Sequence, residues 1–109
     1  MESIDPWKPF TDMENNPWQE VRKHKSVNNG TVIGHLLPDV PEEILHAAGA
    51  FPVAIEGASS RVSLSQAHIP GYTCSHVMGT LDMGLSGELD FLDGLVIPYV
   101  CDSTRNLSH

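Results

Sequence analysis

The stretch GLVIPYVCDSTRNL, residues 94–107, constrains the fold most. Its apolar run follows Asp93-Gly94 and is typical of a buried strand of a parallel sheet. One of the polar residues further on is expected to cap the start of a helix: Asp102, Ser103 or Thr104. A strand that leads into a helix is the repeating unit of α/β folds, so this stretch predicts that class.

Cys101 lies between the predicted strand and the predicted helix. Open α/β sheets bind ligands at the carboxyl ends of their strands, and a thiol near a helix N-terminus ionises more readily. The position is therefore typical of a metal-binding or reactive cysteine. The chain has one other cysteine, Cys74, and two buried, inert thiols are the simplest alternative.

Strand-like and helix-like patterns alternate upstream of this stretch. The predicted strands are Thr31–Leu37 and Phe51–Ile55, and the predicted helices are Glu42–Ala48 and the segment from Ser75 to Leu85. Glu56–Pro70 is predicted to be a surface loop. The order predicts a doubly wound, mostly parallel α/β sheet, and we expect an incomplete domain of a longer subunit because the chain stops one turn into its last helix.

The predicted domain organisation has two parts. Residues 1–29 are expected to form an N-terminal arm with a short helix, because Pro6, Pro9 and Pro17 forbid one continuous helix. Residues 30–109 are expected to form the partial α/β domain, truncated at its C-terminus.

The charge balance excludes some partners. With 14 acidic and 6 basic residues, the formal charge is −8, which argues against nucleic acid or an anionic membrane surface. The N-terminus lacks the basic and apolar regions of a signal peptide, and no apolar run is long enough to cross a bilayer. We therefore expect a cytoplasmic protein.

The two cysteines are expected at equivalent points, each at the start of a helix, and such points lie side by side in a doubly wound sheet. Zinc would need His68, Cys74, His76 and Cys101, but their spacing matches no zinc motif. Cys74-Ser75-His76 fits half of a Rieske motif, whereas Thr104 stands where the second histidine is required. A [4Fe–4S] cluster accepts thiolates that are far apart in sequence, and this chain supplies two.

Other ionisable residues give weaker indications. Asp39 with Glu42 resembles a capping box, and Glu42 and Glu43 are favoured at a helix start without any function. His35 is expected to be a satisfied structural histidine, as is His46. His76, two residues from Cys74, is the better candidate for proton delivery or for hydrogen bonding to a cluster.

Three motifs together resemble the N-terminal domain of the 2-hydroxyacyl-CoA dehydratase and benzoyl-CoA reductase family. In order, they are VIGHLLPDVPEEILHAAGAFPVAI, YTCS and MGTLDMGLSGELDFLDGLVIPYVCDSTRNLS, and they run from Val32 to Ser108. The resemblance implies that Cys74 and Cys101 are cofactor-binding metal ligands of a [4Fe–4S] cluster whose third cysteine is absent from this chain. It also implies that Glu42 and Glu43 contact substrate or protons. His76 is a further catalytic candidate because of its spacing to Cys74.

The resemblance implies an activity and partners as well. The family passes single electrons of low potential to a CoA thioester, giving dehydration or reductive dearomatisation through a radical anion. The implied partners are a homologous sister subunit, an ATP-hydrolysing iron–sulfur activator protein, and an acyl-CoA or aromatic acyl-CoA substrate. Because the third cysteine is missing, we expect the chain alone to be inactive, and the alternative is a non-catalytic fragment that acts only as an interaction module.

Overall fold

The computed structural model describes residues 4–57 and 63–109. The helices are α1 (Lys8–Asn15), α2 (Gln19–Asn28), α3 (Glu42–Ala47), α4 (Ser75–Leu85) and α5 (Asp102–Leu107), and a short 3₁₀ helix spans Ser65–Ala67. The strands are β1 (Val32–His35), β2 (Phe51–Ala54) and β3 (Gly94–Val96). The chain divides into two compact units, Met1–Gly30 and Thr31–His109.

Among the described residues, the three strands form one parallel sheet in the order β2-β1-β3. Val32 pairs with Phe51 and His35 with Ala54, so β1 and β2 end together; on the other side, Ile33 pairs with Gly94. Crossovers between parallel strands are right-handed as a rule, and with this strand order the rule puts α3 and α4 on opposite faces of the sheet. The predicted α/β fold with a parallel sheet is confirmed.

The two outer strands are held to β1 in different ways. The backbone N–H groups of Phe51 and Ile55 donate to the carbonyl oxygens of Thr31 and His35. The backbone nitrogen of Pro52, which has no hydrogen to donate, therefore points away from β1. On the other side, Asp93 accepts from the Val32 N–H through Oδ2 at 2.8 Å and donates its own N–H to the Val32 carbonyl. The Asp93 bonds hold the start of β3. The prediction that this strand is buried is wrong, because β3 lies at the edge of the sheet and its residues Leu95 and Val96 are exposed.

Gly57 and Gly79 meet backbone to backbone. A Cβ on Gly79 would overlap the Gly57 carbonyl, and a Cβ on Gly57 would overlap the Thr80 backbone nitrogen. Gly79 is therefore required for the close approach of α4 to the segment after β2. Gly84, in the same helix, has no such role, because a Cβ there would meet nothing within 4 Å.

The predicted loop from Glu56 to Pro70 falls partly outside the described residues, which omit 58–62. Its described end is tied to α4 by Asp82, whose carboxylate accepts the backbone N–H groups of Ser63, Leu64 and Ser65, each at 2.7 Å. Burial alone raises the pKa of Asp82, but the three N–H donors outweigh it and hold the pKa below its ordinary value. Asp82 is therefore a buried, ionised residue that holds the 63–65 segment against α4.

The N-terminal unit contains one helix that sequence reasoning missed. The predicted short helix after Pro17 is present as α2, whereas α1 has no counterpart among the predicted elements. Pro9 lies in the first turn of α1, where the missing N–H has no intrahelical partner to lose. Within the described residues, no helix has the length and apolar character needed to cross a membrane.

We predict that Gly79→Ala lowers the free energy of unfolding by about 3 kcal/mol, because the added methyl must displace the Gly57 backbone rather than a flexible side chain. Urea denaturation monitored by circular dichroism measures the effect. Gly84→Ala is the matched control in the same helix and should stabilise by up to about 1 kcal/mol. Equal denaturation midpoints for the two variants would contradict the prediction.

We predict that Asp82→Asn makes the protein less stable at pH 7 and flattens its acid sensitivity. A carboxyl whose pKa is lowered on folding stabilises the protein above its unfolded pKa of about 4, and this contribution disappears as the pH falls through the folded-state pKa. The thermal midpoint measured from pH 7 to about pH 2 tests this. The exposed Asp39→Asn is the control and should follow the parent profile.

Candidate functional site

The carboxyl end of β1 carries a buried histidine bonded to a glutamate. His35, 3 % exposed, places Nε2 2.6 Å from Oε1 of Glu42, the first residue of α3. Its Nδ1 lies 3.3 Å from the carbonyl oxygen of Leu37. His35 is thus hydrogen-bonded at both ring nitrogens, which is the satisfied state expected from the sequence, but its partner is a half-exposed carboxyl at a cavity.

Two local features accompany this pair. Leu37 has φ +66°, the left-handed region that costs a non-glycine residue about 1 kcal/mol. Glu42 does not form the capping box suggested by the sequence: Pro41 is the N-cap of α3, and no side-chain cap hydrogen bond is present. The Glu42 carboxyl is instead bonded to the imidazole of His35, which ends the central strand.

A cavity of about 370 Å³ opens where β1 and β2 end. Its titratable lining residues are His35, Glu42, Glu56 and His76, and its other walls are Leu37, Pro38, Ala54 and Ile55. Open parallel sheets bind ligands at this end of the strands, and an apolar pocket with a few polar groups is the usual form of a small-molecule site.

His76 reaches the cavity from the first turn of α4. Its Nε2 is buried and has no hydrogen-bond partner among the described residues, so it is available to a group of a ligand. Glu43, by contrast, is exposed on α3 and does not line the cavity. Of the three predicted catalytic residues, the structure brings Glu42 and His76 together and leaves Glu43 apart.

Cys101 is itself the N-cap of α5, rather than one of the polar residues after it. Its Sγ accepts from the Thr104 backbone N–H, and the Thr104 hydroxyl accepts from the Cys101 N–H at 3.4 Å, which is a reciprocal capping box. The Thr104 backbone N–H, followed by the Thr104 hydroxyl at 3.6 Å from Sγ, lowers the pKa of the Cys101 thiol, although burial and, to a smaller extent, the Asp102 charge oppose this. The environment favours thiolate.

Cys74 lies beside the same helix start. It is the N-cap of α4, and its backbone N–H donates to Oγ of Ser103, two residues after Cys101, at 3.2 Å. Both thiols are free and exposed, so the alternative of two buried, inert cysteines is wrong. The expectation that the two cysteine segments lie side by side agrees with this hydrogen bond.

The donor set fits an iron–sulfur cluster in kind but not in number. Two exposed thiols at neighbouring helix starts suit the thiolate ligation of such clusters. Within residues 4–57 and 63–109, however, no group of three histidine, cysteine, aspartate or glutamate side chains is arranged to hold a metal ion. Because the sequence has two cysteines, a further thiolate ligand would have to come from outside this chain.

Sequence reasoning missed two cavity residues, Glu56 and His35. Glu56 directly follows the predicted strand Phe51–Ile55, the position that singles out Cys101, so the same rule identifies it. His35 ends β1 but lies inside the longer predicted strand Thr31–Leu37, and so that rule does not identify it. The bond between His35 and Glu42 has no such signal, because it spans a turn whose shape depends on the left-handed Leu37.

A protein-family model described as "2-hydroxyglutaryl-CoA dehydratase, D-component" matches residues 39–109. The beta subunit of (R)-phenyllactyl-CoA dehydratase from Clostridium sporogenes is 35 % identical over 96 residues, covering 88 % of this chain and 26 % of the relative. One of the subunits of benzoyl-CoA reductase from Thauera aromatica is 39 % identical over 79 residues, covering 71 % and 20 %.

A third relative is similar over the same region. The beta subunit of (R)-2-hydroxyglutaryl-CoA dehydratase from Acidaminococcus fermentans is 32 % identical over 100 residues, which is 91 % of this chain and 26 % of the relative. The chain therefore spans about a quarter of the length of these curated relatives.

We predict that Cys101 alkylates at lower pH than an ordinary thiol. In a Cys74→Ser background, the pH dependence of iodoacetamide labelling, followed by mass spectrometry, reports on Cys101 alone. Thr104→Val should raise the midpoint, because it removes the hydroxyl bonded to Sγ. Asp102→Asn should lower it, because it removes the opposing carboxylate. Unchanged midpoints in both variants would contradict this account of the thiol.

Proposed function

This chain belongs to the 2-hydroxyglutaryl-CoA dehydratase D-component family, and on that premise we propose that it is the N-terminal part of an iron–sulfur subunit acting on an acyl-CoA thioester. The relatives are dehydratase and reductase subunits, and their names share acyl-CoA substrates. Residues 30–109 would form the part of the domain that contributes to cluster binding, preceded by the arm of residues 1–29.

The observation that carries the proposal is the hydrogen bond from the Cys74 backbone to Ser103. It joins two segments that are 27 residues apart at their cysteines, and so it supports a shared role for Cys74 and Cys101. Both thiols are exposed, as ligands to a shared centre must be before it is bound. The lowered pKa of Cys101 favours the ionised form that a metal requires.

In this proposal Cys74 and Cys101 supply two thiolate ligands of a [4Fe–4S] cluster, and a third comes from outside the chain. Such a cluster, when bound, would supply single electrons of low potential to the thioester of the substrate. The cysteines hold it at the starts of α4 and α5, where Thr104 and Ser103 fix the conformation of the two segments. Electron delivery would depend on a sister subunit and an ATP-hydrolysing iron–sulfur activator.

The cavity at the ends of β1 and β2 would receive the acyl part of the substrate. Leu37, Pro38 and Ile55 provide apolar walls that exclude water from a bound acyl group. Glu42 and His76 would contact its polar atoms and move protons, since both line the cavity. Dehydration and reductive dearomatisation both involve proton transfer to or from the acyl group, and so the proposal covers either reaction.

A second candidate is a non-catalytic interaction module. It is favoured by the number of ligands, because the described residues contain no group of three metal-binding side chains. This candidate predicts stable association with a sister subunit without any iron binding.

We predict that anaerobic reconstitution with ferrous iron and sulfide gives the visible absorption of an iron–sulfur cluster only after a sister subunit of the family is added. Cys74→Ser and Cys101→Ser should each abolish the absorption and the bound iron, since each removes a ligand. Ser86→Ala, at the far end of α4, is the control and should leave both unchanged. Iron binding that survives both cysteine substitutions, or that fails with every partner, would overturn the proposal.

A further inference from the structure

His35 has an acceptor at each ring nitrogen. The Leu37 carbonyl, 3.3 Å from Nδ1, can only accept, so Nδ1 carries a proton. A second proton lies in the 2.6 Å hydrogen bond between Nε2 and Oε1 of Glu42. With both protons counted, the two side chains together carry no net charge.

The pair joins a fixed group to an accessible one. The His35 side chain is 4 % exposed and ends the central strand, whereas the Glu42 side chain is 48 % exposed and lines the cavity. The carboxyl is thus held at one oxygen by a partner that packing prevents from moving. A carboxyl group oriented in this way by a fixed imidazole is a usual arrangement for proton transfer.

Two local conformations around this pair are unfavourable by themselves. Leu37 adopts its left-handed conformation beside the carbonyl that bonds Nδ1, and Glu42 leaves the start of α3 without a side-chain cap. Departures from local preference that cluster around one cavity are typical of functional positions rather than of structural histidines.

We propose that His35 is a positioning residue that holds Glu42 at the cavity and keeps the proton of their shared hydrogen bond ready for an oxygen of a bound acyl ligand. This rests on the proposed function for the identity of the ligand, whereas the pair itself does not. On transfer, the proton moves from Nε2 of His35 to the Glu42 carboxyl, which passes it to the ligand oxygen, so that the pair becomes singly negative with His35 neutral and Glu42 ionised. A proton from solvent at the exposed side of Glu42 then restores the neutral pair. Glu56 and His76 are the other titratable groups that line the cavity.

Nitrogen-15 NMR of the histidine rings in the intact chain tests the proposal. In the parent protein at neutral pH, we expect both nitrogens of His35 to show the chemical shifts of protonated nitrogen. Glu42→Gln changes a half-exposed side chain without burying any new group, and it should convert Nε2 to the unprotonated type. Glu43→Gln is the matched control on the adjacent exposed residue and should leave His35 unchanged.

A ligand titration completes the test. Benzoyl-CoA should shift the His35 ring resonances and bind about tenfold more weakly to Glu42→Gln than to Glu43→Gln, the change expected for one lost hydrogen bond. An unprotonated Nδ1 in the parent, identical ring spectra for the two glutamine variants, or ring resonances that benzoyl-CoA does not move would each overturn the inference. Failure of cluster reconstitution with these ring signals intact would overturn the proposed function alone.

Discussion

The backbone contact between Gly57 and Gly79 determines where α4 lies against the sheet. Gly57 follows β2 by three residues, so the contact joins the carboxyl end of the sheet to the first turns of α4. His76, one turn before Gly79, thereby lines the same cavity as Ile55 and Glu56. Cys74 is the N-cap of the same helix, and Asp82 within it binds the 63–65 segment. The cavity, the cysteine pair and the Asp82 hydrogen bonds therefore all depend on the two glycines at this contact.

Much of this architecture follows from local sequence rules. Apolar runs bounded by glycine and proline locate β1, β2 and β3, and the spacing of Val77, Met78, Leu81 and Leu85 locates α4. The same rules do not predict helix α1, because a proline is read as a helix breaker wherever it occurs. Pro9 lies in the first turn of α1, where a backbone N–H has no intrahelical acceptor, and a proline there is compatible with the helix.

The sites divide in the same way. Cys101 can be located from sequence, since its strand and helix are adjacent in the chain. Its role as the N-cap cannot, because a thiol competes there with Asp102, Ser103 and Thr104, and only the reciprocal bonds with Thr104 decide the outcome. The Glu42–His35 bond and the three bonds to Asp82 connect residues 7 to 19 positions apart, and such pairings depend on how the intervening turns are folded.

The outer side of β3 has a practical consequence for the protein in solution. Among the described residues no strand pairs with that side, and Leu95, Val96, Tyr99 and Val100 are exposed beside it. Unpaired N–H and C=O groups flanked by apolar side chains form a template for another β-strand. We therefore expect the isolated polypeptide to self-associate through this edge as its concentration rises, even though its charge of −8 favours repulsion between copies.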